Sequence, residues 1–455
     1  MVEIGMRALP TEPPSRKLSR RSRGEPALLT PIADADRPAR VYKSLPALCE
    51  TDMPYAIDKQ KTFDLVGGSA EDQFDVGSHD ASRTVHVARS ASGTIKLDSW
   101  GVASDGTFTP AGGAGAVVGH GTRTRIVVFD NHRIVVLWLD ASSALRARAY
   151  NSGTDFAGAA ITIETTIASF DLASIGVTTG VQQVPPGTSV YYAFRQFAFT
   201  TLSENGGWKL WLGSVTDSCE VTAGPVALGG PGDKVALSCA TQNEIVNGAH
   251  PRTALTLWRD AGQIKTRSWR IAYTGVTSLA SAAETKPLGS GIVYGMSIAQ
   301  NNDLFATAVW PGASNATARL QLVSLAAGGA MSVYGSVEIA EIPRSFARLG
   351  WYGSDAAVAY TTPEGHLAVA AWRFAAPGSA SATRTVLAAK AGTEQPTQVR
   401  LASLLPPSGS DDDPVTLVTL SHIAAGSLRL VSWRLHKTIL FAPIGSTPIG
   451  IGTKP

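Results

Sequence analysis

The sequence predicts an all-β chain folded as a seven-bladed β-propeller with four-stranded blades and an irregular N-terminal arm. Three observations carry that expectation. First, a strand closing in [Leu/Ile]-x-x-x-[Ser/Ala]-[aromatic or aliphatic] recurs seven times, over 95–100, 145–150, 210–215, 264–269, 320–325, 367–372 and 428–433. The copies start 47 to 65 residues apart, the spacing of propeller repeats with insertions. Second, each copy follows another β-rich run across a short turn of Ser, Gly, Asp or Pro, as in Ser90-Ala-Ser-Gly93 and Asp260-Ala-Gly262, the residue types that tight turns need. Third, a strand rich in small residues precedes each pair, as the crowded axis of a ring requires.

Taken in order, residues 1–40 are rich in Pro, Arg and Ser and lack periodicity, which predicts an extended arm. Residues 41–61 carry short apolar pieces around Pro46 and Pro54 and read as a strap on the domain. The propeller is expected over 62–455. Naming its strands A to D from the axis outward, the A strands fall at 62–67, 124–129, 173–178, 235–240, 292–299, 345–351 and 399–404. The B strands fall at 85–89, 134–140, 190–197, 254–259, 304–310, 356–361 and 415–420. Outer strands follow the pairs, for example at 107–110 and 331–337. The last blade is expected to close on 438–444, with 41–57 as the other route. A four-stranded sheet with apolar residues on both faces needs a neighbour on each, and radial closure supplies that. The Trp residues repeat within strands, which points to packing between blades rather than to ligand stacking.

Composition limits the partners. The chain carries +3, but residues 1–24 hold six basic against two acidic residues, which leaves −1 for the rest. The propeller therefore has no global basic field, and nucleic acid is not an expected partner. Charged residues make up only 16%. The three cysteines, Cys49, Cys219 and Cys239, have no metal-type spacing and read as free thiols in a reducing compartment. No apolar run follows Arg20-Arg21, and no run suits a membrane span. The expected location is cytoplasmic, or outside the cell by export without a recognisable signal peptide. The arm, with Arg16-Lys17 and Arg20-Arg21, is suited to docking on an acidic surface.

No motif announces a chemistry. There is no Gly-His…Trp-Asp pair, no paired-glycine blade signature, no S-x-D-x-G-x-T-W box, no G-x-S-x-G and no metal-binding loop. Candidate residues follow from where the loops fall. In a propeller, D–A corners and B–C turns share one face, here called the first face. It should carry His120, Arg123, Glu204, His366 and His422 as catalytic candidates, since histidines and carboxylates supply acid–base groups. The stretch 197–207 reads as the longest B–C loop, with Phe197, Phe199 and Asn205 as ligand contacts. Arg125 is a further ligand candidate, because guanidinium forks pair with carboxylates or phosphates. Arg125, Arg348 and Arg400 all fall on A strands, where they either make the channel basic or pair with carboxylates between blades. On the opposite face His79, Asp80, His132 and Asp303 are weak metal candidates, since the same residues also close turns. No cofactor is expected. The function expected is that of a binding protein that presents one face and its arm to a protein or glycan partner. The alternative is a hydrolase, lyase or isomerase with a pocket at the channel mouth. A lectin is a third reading, disfavoured because the repeated aromatics lie in strands.

Overall fold

The structure, a computed structural model, describes residues 55–437 apart from 66–73, 242–251, 405–413 and shorter internal stretches. The described elements are strands and turns. The first strand, β1 (Tyr55–Leu65), is followed by blade 1: β2 (Phe74–His79), β3 (Thr84–Ala91) and β4 (Thr94–Val102), with β5 (Phe108–Pro110) and β6 (Ala116–His120) both pairing with β4. Blade 2 holds β7 (Thr122–Val128), β8 (Arg133–Leu139) and β9 (Leu145–Asn151), edged by β10 (Phe156–Ala157) and β11 (Ile161–Glu164). Blade 3 is β12 (Ile167–Val184), β13 (Thr188–Ser203), β14 (Gly207–Val215) and β15 (Val221–Pro231). Blade 4 is β16 (Val235–Thr241), β17 (Arg252–Asp260), β18 (Gln263–Thr274) and β19 (Thr277–Ser290).

Blade 5 is β20 (Ser297–Gln300), β21 (Phe305–Pro311), β22 (Ala318–Leu325) and β23 (Met331–Ile339). Blade 6 is β24 (Ser345–Tyr352), β25 (Asp355–Thr361) and β26 (Leu367–Phe374), edged by β27 (Ala382–Arg384) and β28 (Ala389–Ala391). The last sheet is β29 (Val399–Leu404), β30 (Val415–Ile423), β31 (Ser427–Lys437) and then β1. The described strands thus make seven antiparallel sheets. Their first strands lie side by side in a closed ring, β2, β7, β12, β16, β20, β24, β29 and back to β2. This is a β-propeller of four-stranded blades.

The packing follows from alternation along each strand. Val85 and Val87 of β3 join the core shared with blade 7, while Ala88 joins the core shared with blade 2. A buried cluster fills each seam in turn around the ring. Trp100, Trp138, Trp258, Trp269, Trp310 and Trp433 all lie in these cores, so the repeated indoles do pack between blades. Several find a partner on the neighbouring strand of their own sheet. Trp269 and Trp433, and the half-buried Trp211, each donate Nε1–H to a threonine hydroxyl, Thr256, Thr419 and Thr201, at 2.9–3.0 Å. An indole can be buried this way without losing its hydrogen bond.

Two expectations about closure are corrected. The outer strand of the last blade is β1, which runs antiparallel to β31 from Tyr55↔Lys437 to Leu65↔Leu428. Residues 438–444 lie outside the described residues. The reason is visible along β1: Ile57 and Leu65 are buried, and Asp64 accepts from Arg429 on β31. The first A strand is consequently β2 rather than 62–67, and strand structure begins at Tyr55, inside the expected strap.

Two of the three A-strand arginines can be followed; the side chain of Arg348 lies outside the described residues. Arg400 of β29 meets Asp75 of β2 at 3.4 Å, and Asp75 accepts from the Ile126 amide of β7 at 3.1 Å. Arg125 of β7 meets Asp171 of β12 at 3.5 Å, and Asp171 accepts from the Leu237 amide of β16 at 2.9 Å. Each guanidinium also lies over the phenylalanine that precedes its aspartate, Phe74 or Phe170. One arrangement therefore occurs twice, stitching three successive blades each time. These two arginines are tied to carboxylates between blades.

Candidate functional site

The first face carries a cleft of about 370 Å³ at the seam of blades 2 and 3. One wall is the start of β7, Thr122 and Arg123. Asp140 and Ser143, from the turn between β8 and β9, form a second wall. Ala168 of β12 and Glu204, from the turn between β13 and β14, complete it. Two of the five catalytic candidates, Arg123 and Glu204, are thus brought together. His120, His366 and His422 do not line this cleft. His120 is exposed at the end of β6, where its carbonyl accepts from Trp138 Nε1 at 2.9 Å. His366 and His422 belong to blades 6 and 7, and their backbones close local structure through Thr362 and Gln398.

Local geometry fixes each cleft residue. Arg123 has φ +52° and sits where the pairing of β7 with β8 shifts register between Thr122 and Arg125. A side chain at positive φ costs on the order of 1 kcal/mol or more, and such residues concentrate at functional sites. Its guanidinium Nη1 donates to the Ala168 carbonyl across the seam. Asp140 is the anchor of its own turn. It accepts from the Ser142 hydroxyl at 2.6 Å, from the amides of Ser142 and Ala144, and from Arg146 at 2.8 Å. The Ser142 hydroxyl, aided by Arg146 and those amides, outweighs partial burial and holds its carboxyl well below the usual carboxylate range. Asp140 is therefore a fixed negative charge with its lone pairs engaged. Glu204 is exposed, and its side chain has no partner among the described residues. Its turn is held by Gly206 N to Ser203 O at 3.0 Å and by Gly232 N to Gly206 O at 2.8 Å.

The expected long loop at 197–207 is absent. β13 continues to Ser203, and only a tight turn separates it from β14. Phe197 and Phe199 are fully buried between blades 2 and 3, their rings 5.9 Å apart. They are core residues, not ligand contacts. Asn205 is exposed at the turn tip beside Glu204 and does not line the cleft. On the opposite face His79 bonds the Ser82 hydroxyl at 2.9 Å. Asp80 and Asp303 lie outside the described residues. Among the described residues no three His, Cys, Asp or Glu side chains gather to hold a metal ion.

Sequence reasoning missed a hydrogen-bonded row in blade 1. Ser99 Oγ lies 2.7 Å from His86 Nδ1, and Thr84, Ser82 and His79 continue the row toward the rim. His86 and Ser99 face each other directly across β3 and β4, so counting outward from the turn at Ser92-Gly93 would have found the pair. Both are 1% exposed, which denies a substrate access to this serine and histidine. Burial, with lesser pushes from His79 and His132, lowers the His86 pKa to about 4. The imidazole is neutral at pH 7.

No protein-family model matches the chain, and no curated protein matches it. Among solved structures, the chain is similar to a fungal lectin from Aleuria aurantia described as a six-bladed β-propeller, at 11% identity, over 75% of this chain and 96% of that one, with a TM-score of 0.40. It is also similar to the WD40 domain of SCAP from fission yeast, at 8% identity over 84% and 88%, TM-score 0.41. A protein from Lactobacillus plantarum matches at 11% identity over 70% and 85%, TM-score 0.41. Likenesses this distant carry no argument; the sheet order and the ring of first strands define the class, a β-propeller, by themselves.

Proposed function

We propose that this chain is a non-enzymatic, seven-bladed β-propeller that presents its first face, at the seam of blades 2 and 3, to a protein or glycan partner. The observation that carries the reading is the cleft itself. It gathers Arg123 and Glu204, two exposed charged side chains from adjacent blades, one at the start of a strand and one on a tight turn rather than on long loops. A site so built is preorganised for binding. The enzyme alternative has less support. The carboxylate in the cleft wall, Asp140, is engaged by a hydroxyl, two amides and Arg146, so it is unsuited to moving protons. The lining includes no histidine or cysteine.

The test uses the full chain, probed against a glycan array and an array of defined proteins, beside the double variant Arg123→Ala/Glu204→Ala. Binding by the wild type that the double variant loses, with an unchanged melting temperature, supports the reading. Binding that survives the double substitution overturns it, because the partner then engages another surface.

A further inference from the structure

Arg123 and Glu204 differ from the rest of the cleft in having hydrogen-bonding capacity left over. Arg123 spends one N–H of its fork on the Ala168 carbonyl, and its remaining N–H groups have no partner among the described residues. Glu204 keeps a whole carboxylate, with two acceptor oxygens. The cleft thus offers a rigid donor fork and an acceptor pair. Asp140 is already paired with Arg146. The groups left over are one cation and one anion, so the cleft carries no net charge with which to favour phosphate, sulfate or any other net anion. A neutral ligand with adjacent hydroxyls satisfies both sides at once. One hydroxyl oxygen accepts from the fork, and its neighbour donates to the carboxylate, in charge-assisted bonds stronger than neutral ones. A volume of about 370 Å³ is at the small end of the range for ligand sites.

The repeat explains why this seam differs from others. Ser143 N bonds Asp140 O, Gly206 N bonds Ser203 O, and Gly365 N bonds Thr362 O. These three equivalent turns fix equivalent positions two residues upstream: Trp138, Thr201 and Tyr360. Blade 3 therefore carries a threonine where its counterparts carry a large aromatic. Thr201 there accepts from Trp211 and donates to Glu164, which in turn pairs with Lys209. The seam beneath Glu204 is polar where blade 1 meets blade 2 through the Trp138 indole.

We infer that the cleft between blades 2 and 3 binds a neutral saccharide unit through a vicinal hydroxyl pair, with Arg123 donating to one hydroxyl and Glu204 accepting from the other. The inference rests on the binding reading above and narrows it. A zwitterionic ligand, such as a dipeptide placing its carboxylate on Arg123 and its ammonium on Glu204, is the competing occupant. Substitutions separate the two. Arg123→Lys keeps the charge but removes the planar fork. It should weaken a glycoside by about tenfold or more and weaken a dipeptide much less. Glu204→Gln keeps an acceptor oxygen but removes the charge. It should weaken the glycoside severalfold and remove dipeptide binding.

The experiment is saturation-transfer NMR and calorimetry on the full chain with methyl glycosides of neutral hexoses and deoxyhexoses, and separately with dialanine. Glycoside binding that Arg123→Lys weakens by about tenfold, with melting temperature unchanged, supports the inference. Dialanine binding without glycoside binding overturns it and leaves the binding reading standing. Glycoside binding indifferent to both substitutions overturns it too, since the sugar then sits elsewhere. Binding of neither probe class also overturns it, and the array comparison then decides the broader reading alone.

Discussion

Removing the Asp75 carboxylate should open the ring where its two ends meet. Asp75 is buried at 6% exposure and Arg400 at 4%. Their contact spans the seam of the last and first blades, 326 residues apart in sequence for the neighbouring Arg400–Phe74 contact. Leaving one partner of a buried ion pair behind costs about 3–5 kcal/mol. The separation of 3.4 Å is loose, and Arg400 also lies over the Phe74 ring, so about 2–4 kcal/mol is the better expectation for the lost charge. Asp75→Ala further orphans the Ile126 amide, for about 1–3 kcal/mol. Asp75→Asn retains an acceptor for that amide and should spare this second part. The expected order of urea midpoints is therefore wild type, then Asn, then Ala. The internal control is Asp64→Ala, which removes an Asp–Arg pair lying within the last blade, with Asp64 half exposed; exposed pairs are worth about 0–1 kcal/mol. If Asp75→Ala shifts the midpoint no further than Asp64→Ala, the buried stitches do not hold the ring and the reasoning fails.

Three other outcomes follow from the structure. His86 has its pKa lowered to about 4 by burial, against 6.5 in the unfolded chain. Stability from this group is present above pH 6.5 and is lost as pH falls toward 4, by up to about 3 kcal/mol; melting curves from pH 7 to 4 should show it, and His86→Gln should flatten the profile. Gly119→Ala places a methyl against the Trp138 ring and should cost about 1–3 kcal/mol by overpacking; near-ultraviolet circular dichroism reports the displaced indole, and an unchanged spectrum and melting temperature would contradict the packing. Arg267 lies 5.2–5.9 Å from the centroids of Trp208, Trp258 and Trp269 and donates to Gly229 O and Thr285 at 2.8 Å. Arg267→Met keeps bulk but removes the cation, and should lower stability by about 2–4 kcal/mol and change tryptophan fluorescence; an unaltered midpoint in urea would show that the three rings hold without it.

The strand pairs were legible because burial on both faces forces apolar residues at period two, and the small turn residues mark each reversal. The closing strand was not. Its sequence, Tyr-Ala-Ile-Asp-Lys-Gln-Lys-Thr-Phe-Asp-Leu, places Asp58, Lys59 and Lys61 at its centre, as an outer strand with one wet face does. Only its pairing with β31, and the Arg429–Asp64 contact, identify it. At 197–207 the signal was present and outweighed: Phe197 and Phe199 alternate as strand residues do, but the Thr-Thr and Ser-Glu-Asn-Gly that follow resemble a loop. The paired stitches were half legible. Phe74-Asp75 and Phe170-Asp171 are the same dipeptide at the same place in two blades, and Arg125 and Arg400 occupy the matching position in the blades before them. Nothing in the sequence says which aspartate answers which arginine until the ring order is known.

The candidate site follows the same logic in reverse. A repeat must satisfy the same packing demand at every seam, so a residue that recurs is accounted for by that demand. The positions left to serve a partner are those where the pattern breaks and burial does not compel the replacement. Thr201, at a position where two equivalent turns specify Trp138 and Tyr360, is one break in the pattern, buried beneath the site rather than open to a partner. Glu204, exposed on the next turn without a partner among the described residues, is a second. Arg123, held at positive φ where glycine would be free of strain, is the third. If Arg123 served only the fold, Arg123→Gly would relieve its strain and stabilise the chain by about 0.5–1 kcal/mol, less whatever the Ala168 contact contributes. Retention of stability with loss of ligand binding in Arg123→Gly would place the strain in the service of the cleft; a clear loss of stability would assign Arg123 to the packing of blades 2 and 3 instead.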